Sequence, residues 1–269
     1  MENMRVYNPE GSLLRERQKE MLAVLADFAK ICEENDIRWW LCSGTLLGAA
    51  RHKGFIPWDD DVDVSMLKKD YRKLLKVLRK MDNEEYFYQC IQTDPDHTNP
   101  FGFFRRKKGK SDSTDPRSRY FKFQGAGIDV FYIEKSSRFS AHMSKFFYQN
   151  MQYPTKKIKN RCLRHFLIRC VQFLNFVFLF QIARLVGLVN PKQEYHYAHG
   201  SGFYDEPFYI KNIFPLTAIE FEGMTFPAPK DTDAHLTAMY GDWRKLPSEE
   251  QIRKALHSQA VIEEIFGKE

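Results

Sequence analysis

Two aspartates, Asp61 and Asp63, occupy alternate positions in a run that predicts a β-strand. Residues 61–66 alternate polar and apolar side chains with a period of two, so both carboxylates and Ser65 lie on one face and Val62, Val64 and Met66 lie on the buried face. Two carboxylates on one strand face repel each other unless a cation lies between them. Mg²⁺ prefers oxygen ligands and commonly shares them with substrate phosphates, and Mn²⁺ suits the same donors. The pattern predicts a divalent-cation site that handles phosphate.

Small and basic residues precede this strand. Residues 37–41 predict an apolar strand, and a predicted turn that includes Gly44 and Thr45 follows it. Free backbone N–H groups and a hydroxyl in such a turn are suited to holding a phosphate. A predicted loop then carries three residues that can neutralise charge on a leaving phosphate, with Arg51 and Lys53 as stronger candidates than His52. Arg105 and Arg106, at the end of a later strand, are weaker candidates for the same role.

Four blocks of the sequence resemble the LicD family, which belongs to the nucleotidyltransferase-fold superfamily. The long block GTLLGAARHKGFIPWDDDVDV is the specific one, and the shorter blocks GIDVF, FPAP and YGD occur later in the chain. The resemblance implies that Asp61 and Asp63 hold the metal and that Gly44 and Thr45 steady phosphates. It also implies that Asp129, in GIDVF, is a third metal ligand or the base for the acceptor hydroxyl. Asp59 and Asp60 are expected to orient neighbours or cap.

The resemblance implies a Mg²⁺-dependent transferase that moves a phospho-alcohol from a CDP-linked donor to a hydroxyl of a cell-surface glycan or its lipid-linked precursor, with release of CMP. CDP-choline is the leading donor, and the acceptor belongs to a lipopolysaccharide, teichoic acid or capsule. Trp58 could contact the trimethylammonium group through a cation–π interaction, or could be an ordinary core aromatic residue.

Four alternatives remain open at this point. The donor could be CDP-ribitol or CDP-ethanolamine, as in relatives of the fukutin type. The chain could instead be a nucleotidyltransferase that attaches a nucleoside monophosphate to a small molecule. A catalytically inactive scaffold at a membrane surface is the third alternative, although the intact carboxylate set favours an enzyme. The basic segment described below also allows a nucleic-acid binder, which its apolar content disfavours.

The predicted helices and strands indicate an α/β fold. The resemblance implies a mixed β-sheet core of the nucleotidyltransferase type with packed helices. We expect residues 1–134 to form most of the catalytic core, 135–192 to form a basic helical insertion, and 193–269 to complete the core. Helices are predicted near 12–35, 68–81, 231–240 and 249–266, and strands near 86–92, 101–106, 127–133 and 218–226.

The positive charge of the chain is concentrated in one segment. The net charge is +6, yet the eleven Lys and Arg residues between Glu134 and Glu194 are accompanied by no Asp or Glu. These cations alternate with a wide apolar arc that includes Phe173, Phe176, Phe178 and Phe180, a combination that fits an anionic membrane surface better than nucleic acid. The expected lipid-contacting cations are Lys156, Lys157, Lys159, Arg161 and Arg164.

The same segment is too short in apolar residues to cross a bilayer. Its longest uncharged run, residues 170–183, has 14 residues, whereas a span needs about 20. Ordinary packing of the phenylalanines onto the catalytic sheet is the alternative. Five scattered cysteines without a C-x-x-C pair, and an N-terminal stretch without an apolar core, indicate a reduced, cytoplasmic protein, peripheral on the inner face of the membrane.

Overall fold

The computed structural model describes residues 4–267 apart from 82, 98, 100, 111–117, 148, 151–152, 175–177, 179–180, 183–184, 186–188, 190–191, 198–206 and 257. Within these residues a mixed sheet is covered by helices, which confirms the predicted α/β class. The strands of this sheet are β1 (Trp39–Leu41), β2 (Asp63–Leu67), β3 (Tyr86–Gln89), β4 (Gly102–Arg106), β5 (Gly127–Lys135), β6 (Glu194–Tyr197) and β7 (Phe208–Tyr209).

The order of the main strands is β1-β2-β5-β4-β3, and β6 joins the far end of β5 and is followed by β7. β2 and β5 run parallel, whereas the other pairs are antiparallel. The two strands that carry the predicted aspartates are therefore neighbours at the centre of the sheet. A hairpin of β8 (Thr217–Phe221) and β9 (Met224–Ala228) packs beside β1.

The helices follow the amphipathic patterns of the sequence. α1 (Leu13–Glu34) begins at Ser12, whose hydroxyl accepts a hydrogen bond from the Arg15 N–H, and buries Leu25 and Phe28. The others are α2 (Ser43–His52), α3 (Lys68–Lys80), α4 (Arg138–Phe147), α5 (Arg161–Phe173), α6 (Ile210–Ile213), α7 (Thr232–Tyr240), α8 (Glu249–Ala255) and α9 (Gln259–Phe266).

Several local expectations were wrong. Residues 43–52 form a helix instead of a turn and a loop, because Leu, Ala and Arg after the small residues are good helix formers. The strand expected near 218–226 is a hairpin turning at Gly223, and the last predicted helix is interrupted between Ala255 and Gln259. β2 is buried on both faces, with Ser65 1% exposed, because it lies between two other strands and beneath helices.

One buried ion cluster attaches α5 to the loop between β3 and β4. The Asp96 side chain, 1% exposed, lies 2.6 Å from Arg164 Nη2, 2.9 Å from His165 Nε2 and 3.4 Å from Arg161 Nη2. Burial raises the pKa of Asp96, but the hydrogen bonds of His165 and Arg164 outweigh it and hold the pKa below its ordinary value. The Arg164 guanidinium also lies 4.3 Å from the ring centre of Tyr120. We call Asp96, Arg161, Arg164 and His165 the Asp96 clasp.

Removing the charge of the clasp should destabilise the protein. We expect Asp96→Asn to lower the free energy of unfolding by about 3–5 kcal/mol, because Arg164 then stays buried without a counter-charge. Urea denaturation at neutral pH measures this loss. Asp36→Asn is the matched control, since the Asp36 side chain is 97% exposed beside Lys73, and it should change the midpoint little. Equal midpoint shifts for both variants would contradict the prediction.

None of the helices within the described ranges is both long and apolar enough to span a bilayer.

Candidate active site

A cleft with a volume of 1370 Å³ lies over the carboxylate-bearing strands. Its polar wall contains the carboxylates of Asp61, Asp63 and Asp129 together with the Arg105 guanidinium. Its apolar wall is formed by four aromatic residues, Phe101, Phe103, Phe121 and Phe131. The cleft therefore places anionic, cationic and aromatic groups around one space.

The parallel pairing of β2 and β5 brings the predicted aspartates together. Asp63 lies directly opposite Asp129 in the register, and the Asp129 N–H donates to the Val62 carbonyl at 2.8 Å. Asp61 precedes Asp63 by two residues and lines the same cleft. One carboxylate group thus comes from the start of each central strand, and a third comes from the approach to β2.

These carboxylates are strongly coupled. Burial raises the pKa of Asp63 well above its ordinary value, and the charges of Asp61 and Asp129 raise it further, whereas hydrogen bonds from Ser43 and from the Gly44 N–H lower it. Burial and the Asp61 charge likewise raise the pKa of Asp129, and only Arg105 opposes them. In the absence of a cation, the cluster holds protons above the pH at which a free carboxyl loses them.

Asp59 belongs to this cluster, which sequence reasoning undervalued. Burial raises its pKa, followed by the charge of Asp61 and a hydrogen bond with Asp61. Two carboxyl groups form such a bond only when one of them is protonated. A methyl group on Gly44 would lie 2.6 Å from Asp59 Oδ2, so glycine is required for this carboxylate to fit. The run of three aspartates before Val62 was the available signal.

The first turn of α2 holds Asp63 in place. Thr45 Oγ1 accepts a hydrogen bond from the Asp63 N–H at 2.8 Å, and the Gly44 N–H donates to the Asp63 carboxylate. The positive end of the helix dipole adds a favourable interaction with this anion. Ser43 lines the cleft, whereas Gly44 and Thr45 do not. Their observed contacts position a carboxylate, and their binding of phosphate stays a prediction.

The structure does not bring Arg51 and Lys53 to the carboxylates. Because residues 43–52 are helical, Arg51 lies about 10 Å along the helix axis from Gly44. Arg51 Nη1 donates to the Lys245 carbonyl at 3.4 Å, and Lys53 Nζ lies 3.4 Å from Glu220 Oε2. Neither lines the cleft, and neither does His52.

Arg105 supplies the cation that sequence reasoning had placed at Arg51 and Lys53. Antiparallel pairing of β4 with β5 sets Arg105 opposite Gly127, two residues along from the Phe103–Asp129 pair and therefore on the same face of the sheet. Its guanidinium carbon lies 4.8 Å from the ring centre of Phe103 and 5.7 Å from that of Phe121. Burial lowers the pKa of Arg105 to about 10, although Asp129 and Asp94 oppose this shift. It stays charged at neutral pH, and its Nε has no hydrogen-bond partner among the described residues.

Trp58 lies in the hydrophobic core and not in the cleft. Its side chain is 5% exposed, and its ring packs edge-on against Tyr7 with the centroids 5.6 Å apart. A ring enclosed on both faces cannot present a face to a ligand, so the structure corrects the predicted contact with the donor. The position within the motif gave no information on which side of the chain the ring would pack.

Trp58→Leu should therefore change stability and not donor choice. We expect it to lower the free energy of unfolding by about 2–4 kcal/mol, because it leaves a cavity in the core. The ratio of turnover with CDP-choline to turnover with CDP-ethanolamine should stay within about twofold of wild type, because the ring does not contact the donor. Loss of a cation–π contact with the trimethylammonium group would change this ratio by more than about twofold. A selective loss of turnover with CDP-choline would show that Trp58 contacts the trimethylammonium group.

The donor set suits a hard divalent cation. Within the described residues, no three His, Cys, Asp or Glu side chains already form a complete metal site. Mg²⁺ does not require one, because one or two carboxylates and substrate phosphates commonly hold it. The carboxylates of Asp61, Asp63 and Asp129, which line one cleft, are chemically suited to that arrangement.

A known family model matches the part of the chain that carries the cleft carboxylates. The family model described as LicD/FKTN/FKRP, nucleotidyltransferase domain, matches residues 36–173, a range that contains Asp61, Asp63, Arg105 and Asp129. The chain belongs to the LicD family. This LicD-family chain is 31% identical over 268 residues to the lipopolysaccharide cholinephosphotransferase LicD of Haemophilus influenzae, with 91% of the chain and 96% of the relative covered.

A shorter similarity links the chain to animal enzymes. It is 44% identical over 57 residues to the ribitol 5-phosphate transferase FKRP of Homo sapiens, covering 21% of the chain and 10% of that relative. A ribitol-5-phosphate transferase, FKTN of Mus musculus, matches at 36% over 63 residues. Both the leading function and the alternative alditol donor from the sequence thus have a named counterpart among LicD-family relatives.

Proposed function

We propose that this LicD-family chain transfers phosphocholine from CDP-choline to a hydroxyl of a glycan or a lipid-linked glycan precursor, with release of CMP. The observation that carries the proposal is the cleft in which Asp61, Asp63 and Asp129 meet Arg105. The near full-length similarity to a lipopolysaccharide cholinephosphotransferase supports choline as the head group. Residues 1–134 and 193–269 would form the catalytic core, with 135–192 inserted.

Asp61 and Asp63 would hold Mg²⁺ or Mn²⁺, which when bound neutralises charge on the donor diphosphate. Gly44 and Thr45 keep Asp63 oriented through the contacts described above. The Arg105 guanidinium can donate hydrogen bonds to a phosphate oxygen, since its Nε is uncommitted. Such transfers depend mainly on positioning and charge stabilisation.

Asp129 is placed to accept the proton of the acceptor hydroxyl. The acceptor oxygen attacks the phosphorus that carries choline, the bond from that phosphorus to the bridging oxygen breaks, and CMP leaves with that oxygen. Asp129 lies opposite Asp63 in the strand register and lines the same cleft, so its carboxylate is within the space that the acceptor would enter.

The test is a donor panel. Purified protein is incubated with Mg²⁺ and CDP-choline, CDP-ethanolamine or CDP-ribitol, and CMP release is measured with and without a lipopolysaccharide-type glycan. We expect acceptor-dependent CMP release with CDP-choline and none in EDTA. Preference for CDP-ribitol would transfer the donor assignment to the alditol class. Absence of acceptor-dependent CMP from every donor would favour the inactive scaffold.

A further inference from the structure

Helix α5 turns its polar side towards the protein and its apolar side outward. Its polar side carries Arg161, Arg164 and His165 into the Asp96 clasp, and Arg164 and Ile168 are each 2% exposed. Its apolar side points outward, with Leu163, Phe166 and Phe173 at least half exposed. A surface helix of a water-soluble domain normally does the opposite.

The outward apolar stripe extends beyond α5. Eight described apolar residues between 163 and 189 are 42% to 80% exposed. We call the following set the outward apolar face: Leu163, Phe166, Phe173, Leu174, Phe178, Ile182, Leu185 and Val189. An exposed set of this size marks an interaction surface. The alternative from the sequence, that this segment packs onto the sheet, therefore does not hold for the described residues.

Exposed cations border this face. Lys157, Lys159, Arg161 and Arg169 are exposed, and residues 135–192 contain no acidic residue at all. Arg164, expected to contact lipid, is instead buried in the clasp. The side chain of Lys156, together with Phe176 and Phe180, lies outside the described residues.

The charge and the apolar surface together identify the occupant. Long cationic side chains beside an exposed apolar stripe are characteristic of helices that lie in the interface of an anionic bilayer. A second copy of the chain would bring the exposed cations of this segment, which contains no acidic residue, against the same cations, and this like-charge repulsion opposes self-association. Nucleic acid would leave the phenylalanines without a partner.

We propose that the outward apolar face docks the protein on an anionic membrane, with α5 lying in the plane of the interface. The clasp sets this face next to the cleft, because Arg164 stacks on Tyr120 while Ser118 and Phe121, on either side of Tyr120, line the cleft. Docking would hold the cleft near the bilayer surface. Resting on the proposed function, this placement favours an acceptor carried by a membrane lipid.

The experiment is co-sedimentation of the full chain with vesicles of phosphatidylglycerol or of phosphatidylcholine. We expect binding to phosphatidylglycerol at low salt, release as salt rises, and little binding to phosphatidylcholine. Replacing Lys157, Lys159 and Arg169 by Gln should weaken partitioning on the order of a hundredfold, because each cation contributes near an anionic surface. Leu163→Ser with Phe166→Ser should weaken it by at least about tenfold, because buried apolar area is lost.

The matched control removes three positive charges from a different helix. Lys69, Arg72 and Lys76 are exposed cations of α3, and their replacement by Gln should reduce partitioning by less than about fivefold, since an isolated charge contributes no more than that. Equal losses in the two triple variants would show non-specific attraction and overturn the proposal. So would wild-type protein that ignores phosphatidylglycerol at low salt, or a lipid-free dimer that Phe166→Ser dissociates. Turnover of a soluble acceptor, which should be unchanged in all variants, reports separately on the proposed function.

Discussion

Asp63→Asn is expected to reduce CMP release by a factor of about 10³ or more, because the bound ion and its carboxylate carry much of the charge that develops during transfer. Asp61→Asn should act in the same direction. The fold should persist, since the amide keeps the shape of the carboxyl and relieves its repulsion with Asp129. The measurement is turnover of CDP-choline at saturating Mg²⁺, with thermal unfolding as the check on structure.

Asp60→Asn is the matched control. Asp60 also lines the cleft, but it lies in the approach to β2 and is not opposite Asp129 in the register. We expect Asp60→Asn to retain activity within about tenfold of wild type, because the substitution weakens the electrostatic field in the cleft without removing a metal ligand. Near-wild-type turnover in Asp63→Asn, or full turnover of the wild type in EDTA, would contradict the metal assignment.

The same carboxylates give the metal-free protein an unusual dependence on pH. The pKa values of Asp59, Asp63 and Asp129 are raised in the folded state, first by burial and then by neighbouring aspartates, so the folded chain binds protons more tightly than the unfolded one. Their stabilising contribution is present below the ordinary carboxyl pKa of about 4 and is lost as pH rises through the raised values. In EDTA, the melting temperature should fall between about pH 5 and about pH 8.

Two comparisons isolate that effect. Added Mg²⁺ should restore the loss at the alkaline end, because the ion replaces the protons, and Asp63→Asn should flatten the slope. Asp96 acts with the opposite sign, since its pKa is lowered and its contribution disappears as pH falls through that value, below the window used here. His196 and His235, whose pKa values burial lowers to about 4, add stability as pH rises towards about 7, so the decisive measurement is the difference between the two proteins. The same slope in EDTA for wild type and Asp63→Asn would refute the coupling of the three carboxylates.

The positions of the cleft carboxylates could be predicted from the sequence because they follow from the local alternation of side chains along a strand. A period of two places Asp61 and Asp63 on one face, and the GIDVF block marks the second strand. Parallel pairing then sets Asp129 beside Asp63. Thr45 was predicted to steady a phosphate, which stays a prediction, and only the fold shows that its hydroxyl accepts a hydrogen bond from the Asp63 N–H.

The remaining site residues depend on long-range packing that has no local signature. Arg105 reaches the cleft through the pairing of β4 with β5, and a basic pair at a strand end is equally consistent with solvent. Arg51 and Lys53 were predicted to lie near the phosphate, but they lie away from the cleft because residues 43–52 form a helix. The direction of the apolar side of α5 was also undetermined, because amphipathic periodicity identifies the face without saying whether protein or solvent covers it.

Arg105 is the residue for which sequence and structure differ most, and its replacement is the second large expected effect. Arg105→Gln should lower turnover by a factor of about 10²–10³, because a preorganised cation at a phosphate is lost from a site shielded from water. Arg105→Lys should recover part of this loss, since the charge near Asp129 remains while the paired N–H groups and the stacking on Phe103 and Phe121 are lost.

Arg106→Gln is the matched control, because Arg106 is the next residue of β4 and also lines the cleft, but its guanidinium is paired with Tyr86 and lies 3.4 Å from Glu85. It should change turnover by less than about threefold, because this guanidinium is already held by neighbours away from the carboxylates. If Arg105 acts on the transferred phosphate, kcat should fall more than KM rises, because the contact strengthens as charge develops. A pure increase in KM in Arg105→Gln, or equal losses in the two glutamine variants, would show that Arg105 only supports the cleft wall and that another cation meets the phosphate.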